Sequence, residues 1–433
     1  MSLFIPAMRK HVDGKKELTN HTKLVSVKAK SKVYIPLINM GSTSFEVLVK
    51  EKDSVTVGSM IAKRNDNFIV PIFSSVSGKI LGVEKRVHSS GRIVDHIAIE
   101  NDGKYTFKSD VKPLDWEKAS REELVEFMMN SGIVGCGGAG FPAYIKYKFA
   151  KNIHTLVING VECEPYITAD YREMETQNQE LVLGVKAMMK MCEAKVTQIA
   201  IKETKKELIA ELEKIVANVD GVEIKKVPDV YPMGWERTLV YQLTKKRYDK
   251  LPSEIGIVVN NATTAISFAK ALTKGMPIVS KIVTFSGNAL VNPANVEVPL
   301  GVPVEEIIEE LGGYSCEEGH LIAGGPMMGN TIKDGSFTIH AYTNAVTVIE
   351  DKPQDEMACL RCGRCSDYCP AGLQPVRINQ ADKAEDVEMI RTLQAELCIE
   401  CGMCTMICPS HIEVTQGIRM AKGTLAMANK GGN

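Results

Sequence analysis

Eight cysteines in the last quarter of the chain have a spacing that fits iron–sulfur chemistry. The run "CLRCGRCSDYCP" is followed by "CIECGMCTMICP", and each run contains the pattern C-x-x-C-x-x-C-x-x-x-C-P. Two such runs are typical of a pair of 4Fe-4S clusters, in which three closely spaced thiolates bind one cubane and the fourth binds the other. The predicted ligands are Cys359, Cys362, Cys365 and Cys408 for one cluster, and Cys398, Cys401, Cys404 and Cys369 for the other.

Two other uses of cysteine explain this pattern less well. A zinc ribbon needs four sulfurs in two pairs, and it gives no role to a third cysteine or to a Cys-Pro step. A disulfide framework is disfavoured because no secretory leader is evident and the remaining four cysteines are scattered along the chain. Twelve cysteines and oxygen-sensitive clusters together indicate a reducing, anaerobic cytoplasm.

Length and charge narrow the class of protein. The 433 residues are enough for two to four domains, and 24% of them are charged with a formal net charge of -1. A nucleic-acid partner is disfavoured because no excess of Lys and Arg is available to neutralise phosphates. No apolar run approaches the roughly 20 residues that cross a bilayer. We therefore expect a cytoplasmic protein that is at most peripheral to a membrane.

The pattern along the chain predicts a multidomain α/β protein. Short β-branched runs separated by Gly, Asn, Asp and Ser are followed by alternating strand and helix patterns, and later by a second β-rich stretch. The predicted parts are a polar lead-in of little structure (1–32), an all-β barrel-sandwich-like module without an evident carrier lysine (33–110), a Rossmann-like α/β domain (111–275), a β-grasp module (276–350) and an α-rich ferredoxin-like domain with both cysteine runs (351–433).

Apolar spacing also predicts individual helices. One such pattern runs over 114–129, with Ser120 as the N-cap and Glu123 completing a capping box. Others are predicted over 175–192, 204–219 and 383–397, and the last of these separates the two cysteine runs.

A glycine cluster lies ahead of one predicted helix. Gly135, Gly137, Gly138 and Gly140 precede a helical pattern that opens with Pro142. Backbone amides and a helix N-terminus can converge there on an anion, and the missing side chains let the backbone approach a ligand closely. A flexible turn is the alternative interpretation.

Polar residues follow two predicted strands of the α/β domain. Asn159, Glu162 and Glu164 follow one strand, whereas Asn260, Asn261 and Thr264 follow another. Ligands of open α/β sheets collect at the carboxyl ends of the strands, so these residues are candidates for ligand binding. Turns and helix caps are the alternative for both groups.

Cys136 lies inside the glycine cluster. A thiol near a helix N-terminus is expected to have a lowered pKa and to be nucleophilic or redox-active. The alternative is a small buried thiol that fills space.

Four segments resemble a known family. They are "GCGGAGFPAYIKY", "INGVECEPYITADYR", "YPMGWERTL" and "VVNNATTA". With the β-grasp segment and both cysteine runs, they resemble the C subunit of the Rnf-type ferredoxin:NAD oxidoreductases. That family is similar to the FMN-bearing, NADH-binding subunit of respiratory NADH dehydrogenases. Within it, the chain looks most like a soluble branch associated with D-proline reductase.

The resemblance implies an FMN domain in which NADH delivers hydride to the flavin, while the clusters carry single electrons away. It implies that the glycine cluster and Lys146 bind flavin and nucleotide phosphates, and that Asn159 and Glu164 lie by the isoalloxazine and nicotinamide rings, while Glu162 is a further candidate for cofactor binding. It further assigns Glu236 to the nucleotide, and Asn260, Asn261 and Thr264 to the flavin phosphate. Glu164 and Cys136 are the candidate catalytic residues.

The resemblance leaves the acceptor and the role open. The main expectation is an NADH-oxidising protein that passes electrons to a partner protein. That partner is either a reductase, for which D-proline reductase is the candidate, or ferredoxin. One alternative is an electron-transfer adaptor without an NADH site, which bulky Trp235 beside Glu236 favours. The other is the peripheral C subunit of a membrane-bound Rnf complex.

Overall fold

The N-terminal segment is more structured than its polar composition predicts. The computed structural model describes residues 11–352 and 354–431, so the first ten residues of the predicted lead-in lie outside it. Residues Lys16–Leu18 form a 3-10 helix, and strand β1 (Val25–Ser26) pairs in parallel with a strand more than 260 residues later, at 294–299. The expectation of little structure is wrong for residues 11–32, because their hydrogen bonds are made with distant domains.

An antiparallel β module follows. Its strands are β2 (Lys32–Pro36), β3 (Phe45–Val47), β4 (Ser54–Val55), β5 (Met60–Asn65), β6 (Ile69–Phe73), β7 (Gly78–Val87) and β8 (Ile93–Asn101). They form a four-stranded sheet in the order β2-β8-β7-β4 and a three-stranded sheet in the order β3-β5-β6. Ile61, Ile97 and Ile99 are fully buried between them.

The α/β domain is built on a parallel sheet. Its elements are α1 (Arg121–Asn130), α2 (Tyr144–Lys148), β9 (Thr155–Asn159), α3 (Ala169–Thr176), α4 (Asn178–Cys192), β10 (Val196–Lys202), α5 (Lys206–Val216), β11 (Val222–Val227), α6 (Glu236–Thr244), β12 (Ile257–Asn261) and α7 (Ala262–Lys274), with a 3-10 helix at Pro252–Ile255. The strand order is β11-β10-β9-β12, all parallel. The carboxyl ends of β9 and β12 are therefore neighbours.

Helix boundaries in this domain differ in part from the sequence prediction. The capping box at Ser120 and Glu123 is present at the start of α1, as predicted. The predicted helix over 175–192 belongs instead to two helices, α3 and α4, because Gln177 leaves the helical conformation with φ -134° and ψ 42°. The helix predicted over 204–219 is shorter at both ends.

The predicted β-grasp module forms a mixed sheet together with strand β1. Its elements are β13 (Ser280–Ser286), β14 (Ala294–Pro299), α8 (Val304–Glu310), β15 (Gly319–Ala323), β16 (Asn330–Ile332) and β17 (Ala345–Glu350). Together with β1 they form a six-stranded sheet in the order β1-β14-β13-β17-β15-β16. Phe285, Val296 and Val348 share one hydrophobic core with Ile61 and Ile97 of the β module, so these two parts pack as one body.

The C-terminal part is helical. It contains α9 (Arg364–Asp367), α10 (Pro375–Lys383), α11 (Val387–Thr392), a 3-10 helix (Ala395–Leu397), α12 (Met403–Met406) and α13 (Val414–Gly431). The prediction of one helix over 383–397 is wrong. Glu385 adopts a left-handed φ of 54°, and the Asp386 side chain then accepts the N–H of Met389 at 2.9 Å, which starts a new helix. No helix among residues 11–352 and 354–431 has the length and hydropathy of a membrane span.

Candidate functional site

The glycine loop presents its backbone to solvent beside the end of β12. Gly137, Gly138 and Ala139 are exposed. The loop closes through hydrogen bonds from the N–H groups of Gly135 and Gly140, and no bond within the described part of the chain uses the N–H groups of residues 137–139. Three adjacent backbone donors without a protein acceptor fit an anionic ligand such as a phosphate.

A buried lysine supports the loop from behind. Lys281 of β13 is 4% exposed, and its ammonium donates to the carbonyl of Cys136 at 3.2 Å and to Asn344 at 2.7 Å. Its positive charge therefore lies directly beneath the loop. Sequence reasoning missed Lys281 because only the tertiary fold brings β13 to the loop.

The polar residues at the end of β12 and in the first turn of α7 act mainly within the protein. Asn261 caps α7 by accepting the N–H of Thr264 at 3.2 Å, and its amide donates to Asp170 at 2.6 Å. Asn260 is buried and donates to the Tyr147 hydroxyl. The Thr264 hydroxyl is fully buried and accepts the N–H of Cys136 at 2.9 Å. The capping alternative thus describes Asn261 well, and phosphate binding by these residues stays a prediction.

Asn159, Lys146 and Glu236 border the same strand ends. Asn159 is paired in register with Asn261 and donates to the carbonyl of Gly234 at 2.9 Å. Lys146 donates to the carbonyl of Val259 at 2.7 Å and lies 3.9 Å from the Glu236 carboxylate. Asn159 is thereby brought next to the segment that carries Trp235 and Glu236.

The acidic loop, residues 160–168, has two carboxylates in different environments. Glu162 is 7% exposed at its side chain and accepts the N–H of Asp170 at 2.7 Å, so it caps α3. Glu164 accepts the N–H groups of Met327 and Met328 at 2.8 and 3.0 Å, and the Tyr231 hydroxyl lies 3.2 Å from its other oxygen. Burial raises the pKa of both carboxyls, that of Glu162 to about 7. Glu164 thus joins the acidic loop to Tyr231 and to residues 327–328, and it is not a free carboxylate.

The thiol of Cys136 does not have the environment that its position suggests. It is fully buried, and burial raises its pKa although the Lys281 charge acts in the opposite direction. The expectation of a lowered pKa is wrong, because desolvation of a thiolate in the core exceeds any effect of a nearby helix N-terminus. The space-filling alternative fits the structure.

Cys136→Ala is therefore expected to leave the rate of electron transfer unchanged and to cost about 1 kcal/mol of stability through a small cavity. Alkylation of the native protein with iodoacetamide, followed by peptide mass analysis, should leave Cys136 unmodified while half-exposed Cys316 reacts. A large loss of rate in the Ala variant would restore a redox role.

The inner cysteine set comprises Cys369, Cys398, Cys401 and Cys404. All four line one cavity, together with Pro370 and Thr415. Cys369 therefore joins three cysteines of the other run, as the crossed ligand pattern predicts. N–H groups of Leu373 and Glu400 lie 3.4 and 3.3 Å from the sulfurs of Cys369 and Cys398. Such contacts stabilise negative charge on cluster ligands.

The outer cysteine set comprises Cys359, Cys362, Cys365 and Cys408. Bonds of 2.9 and 3.0 Å between Ser410 and residues 357–358 hold Cys359 beside the second run. Within residues 11–352 and 354–431, no three ligand side chains converge closely enough to hold a single metal ion. A cubane does not require this, since each of its thiolates binds a different iron.

The inner set touches the α/β domain directly. The Tyr231 hydroxyl donates to the carbonyl of Cys401 at 2.7 Å, and Cys163 packs against the same cluster of side chains. A Cβ on Gly402 would lie 2.5 Å from the carbonyl of Met327, and one on Gly325 would lie 2.3 Å from Glu164. Only glycine permits this close approach of three parts of the chain. Sequence reasoning missed Tyr231 and Met327, for which "YPMG" and "GGPMMG" were the available signals.

Comparison with family models gives four matches along the chain. Residues 10–104 match the RnfC Barrel sandwich hybrid domain, 128–270 the Nuo51 FMN-binding domain, 282–331 the SLBB domain and 358–412 the 4Fe-4S dicluster domain. The predictions of FMN and of two 4Fe-4S clusters are confirmed by these matches. The β-grasp module corresponds to the SLBB match.

Comparisons over most of the chain find relatives that are named as C subunits of oxidoreductase complexes. The C subunit of the Na(+)-translocating ferredoxin:NAD(+) oxidoreductase complex of Acetobacterium woodii is 34% identical, covering 87% of this chain and 88% of that protein. The C subunit of the ion-translocating oxidoreductase complex of Rhodobacter capsulatus is 35% identical, covering 96% and 82%. An NAD+-reducing [NiFe]-hydrogenase structure shares the fold at 18% identity, with a TM-score of 0.51 over 73% of this chain and 65% of that chain. The chain thus spans just under two thirds of that hydrogenase chain.

With an FMN-binding domain match and a 4Fe-4S dicluster match in one chain, this is an oxidoreductase-type electron-transfer protein. More particularly, the chain belongs to the family of C subunits of Rnf-type ferredoxin:NAD oxidoreductase complexes.

Proposed function

We propose that this protein exchanges electrons between NADH and a protein partner through a flavin site in its α/β domain and the two cysteine sets. FMN, when bound, accepts a hydride and releases electrons one at a time, and the clusters conduct single electrons. The chain's own residues bind these groups, orient them and keep them close together. The contact between Tyr231 and Cys401 is the observation that carries the proposal, because it joins the FMN domain to the inner set.

The positions of the two sets support an order of transfer. The inner set adjoins Tyr231, and two of its cysteines, Cys401 and Cys404, are 8% exposed. In the outer set, Cys362 is exposed, and nearby Met357 and Leu360 are 50% and 66% exposed. Electrons leaving the flavin domain would reach the inner set first, and the outer set is placed for exchange with a docked protein.

The partner is best proposed from the relatives. Both relatives described above are named for ion-translocating complexes, one of them a ferredoxin:NAD(+) oxidoreductase, and neither name mentions D-proline reductase. We therefore favour the role of a C subunit in a membrane-associated complex, in which electrons pass between ferredoxin and NAD. We favour this role over that of a soluble protein that reduces D-proline reductase. The adaptor without an NADH site remains the rival, since half-buried Trp235 lies at the start of α6.

An anaerobic titration with NADH tests the dehydrogenase step. We expect the reconstituted protein to contain one FMN and about eight irons, and NADH to bleach the flavin absorbance and then reduce the clusters. Full flavin and iron content without bleaching by NADH, in protein that dithionite does reduce, would favour the adaptor. Recovery of the native protein in membranes together with integral membrane proteins would distinguish the complex from a soluble pathway.

A further inference from the structure

The acidic loop is held from behind by a lysine of the N-terminal segment. The Lys16 ammonium donates to the carbonyls of Glu162 at 2.9 Å and Glu164 at 2.8 Å, and also to the carbonyl of Ile167. An ammonium has three N–H donors, so all of them are accepted by one short stretch of backbone about 150 residues away. No apolar side chain could make these contacts.

The loop needs such support because its backbone is strained. Glu162 and Tyr166 adopt left-handed φ values of 44° and 67°. For residues other than glycine this conformation costs roughly 1–2 kcal/mol each. Three carbonyls directed at one point would also repel one another without a cation between them. Lys16 offsets both costs.

The contact has the features of a built site rather than a surface ion pair. The side chains of Lys16 and Glu162 are 13% and 7% exposed, and the Glu162 carboxylate lies 4.0 Å from the ammonium. Burial lowers the pKa of Lys16 to about 8, and the Glu162 charge opposes this shift. Neighbouring bonds fix the segment to the loop, from the Tyr166 N–H to the carbonyl of Gly14 at 2.6 Å and between the Thr19 and Thr168 hydroxyls at 2.7 Å.

We propose that Lys16 is a positioning residue for the reaction with NADH: it holds the backbone of the acidic loop so that Glu164 keeps its place between Tyr231 and Met327. This inference rests on the proposed function, because the acidic loop bears Glu164, the carboxylate expected beside the reacting rings. Lys16 acts through the backbone carbonyls of Glu162 and Glu164. The N-terminal segment thereby becomes part of the electron-transfer unit although it lies outside the FMN domain.

Lys16→Met tests the proposal, since it keeps the length of the side chain and removes the three donors. Lys15→Met is the matched control, because Lys15 is the neighbouring residue and its side chain is 47% exposed and ion-paired with Asp13. We expect Lys16→Met protein to retain FMN and iron but to reduce its flavin with NADH about 10- to 100-fold more slowly, since misplacement by about 1 Å costs rates of this order. Lys16→Arg should recover part of the rate, and Lys15→Met should match the wild type.

A second measurement does not depend on NADH. Amide hydrogen exchange of peptides covering the acidic loop should be faster in Lys16→Met than in wild-type and Lys15→Met protein, while peptides of β10 are unchanged. Wild-type exchange of the loop, or a wild-type rate of flavin reduction in Lys16→Met protein, would overturn the proposal. If the wild type itself is not reduced by NADH, the proposed function fails, and the exchange data still decide whether Lys16 holds the loop.

Discussion

Cys369→Ser is expected to abolish the same cluster as Cys401→Ser, although Cys369 belongs to the other cysteine run. Both side chains line the cavity of the inner set, and a serine hydroxyl is a poor substitute for a thiolate on iron. Iron content should fall from about eight to about four per chain in each variant. Their spectra in electron paramagnetic resonance should be alike and should lack the same signal.

Loss of the inner cluster should also slow electron transfer from the flavin to the outer cluster. Because the inner set adjoins Tyr231, its loss should leave the flavin reducible by NADH but slow reduction of the outer cluster by at least about 100-fold, since each step depends on close placement. Dithionite, which needs no flavin, should still reduce that cluster and so prove that it is present.

Cys365→Ser is the matched control for this experiment. Cys365 lies only four residues before Cys369 but belongs to the outer set. In that variant NADH should still reduce the inner cluster at the wild-type rate. If Cys369→Ser protein instead behaves like Cys365→Ser protein, the crossed ligand assignment is wrong. If the outer cluster is reduced normally without the inner one, the order of transfer is wrong.

Glu164→Ala should disrupt the junction between the three parts of the chain. The substitution removes the acceptor of the Met327 and Met328 N–H groups and a partner of the Tyr231 hydroxyl. Each buried donor left without a partner costs about 1–3 kcal/mol. The residues 325–328 would then shift away from Gly402, and we expect both reduction of the flavin by NADH and transfer between the flavin and the inner cluster to slow, the second of these about 100-fold.

Glu164→Gln separates geometry from charge. Its amide oxygen can still accept both backbone N–H groups, and its NH2 group can donate to the Tyr231 hydroxyl, which remains free to donate to the carbonyl of Cys401. We therefore expect the Gln variant to stay within about threefold of the wild type, as does the exposed control Glu310→Ala. Anaerobic stopped-flow absorbance resolves flavin and cluster reduction separately. Equal losses in Glu164→Gln and Glu164→Ala would show that the carboxylate charge itself is required.

Some features could be predicted because they depend on residues close together in the chain. The cysteine spacing predicts cluster ligands because three thiolates of one loop must reach one cubane. The capping box at Ser120 predicts the start of α1 because its partners are three residues apart. The prediction of one helix over 383–397 failed because the left-handed turn at Glu385 ends one helix and the cap formed by Asp386 starts another.

Other features depend on pairs of residues that only the fold brings together. Thiol chemistry at Cys136 is governed by burial and by Lys281, which lies 145 residues later. Tyr231 meets Cys401 across 170 residues. Neither relation leaves a periodic or local signal, so no pattern in the sequence predicts it.

The order of residues along the chain was enough to predict the kinds of chemistry this protein can hold, namely two iron–sulfur clusters and a domain of alternating strands and helices with a glycine loop. Tertiary structure alone decided how they are connected: which cysteine set adjoins the flavin domain, which carboxylate lies at the junction, and which lysine supports it. The physical reason is that ligand sets and caps are satisfied within a few residues of chain. Burial, desolvation and hydrogen bonding between domains depend instead on distances that are defined only when the whole chain is folded.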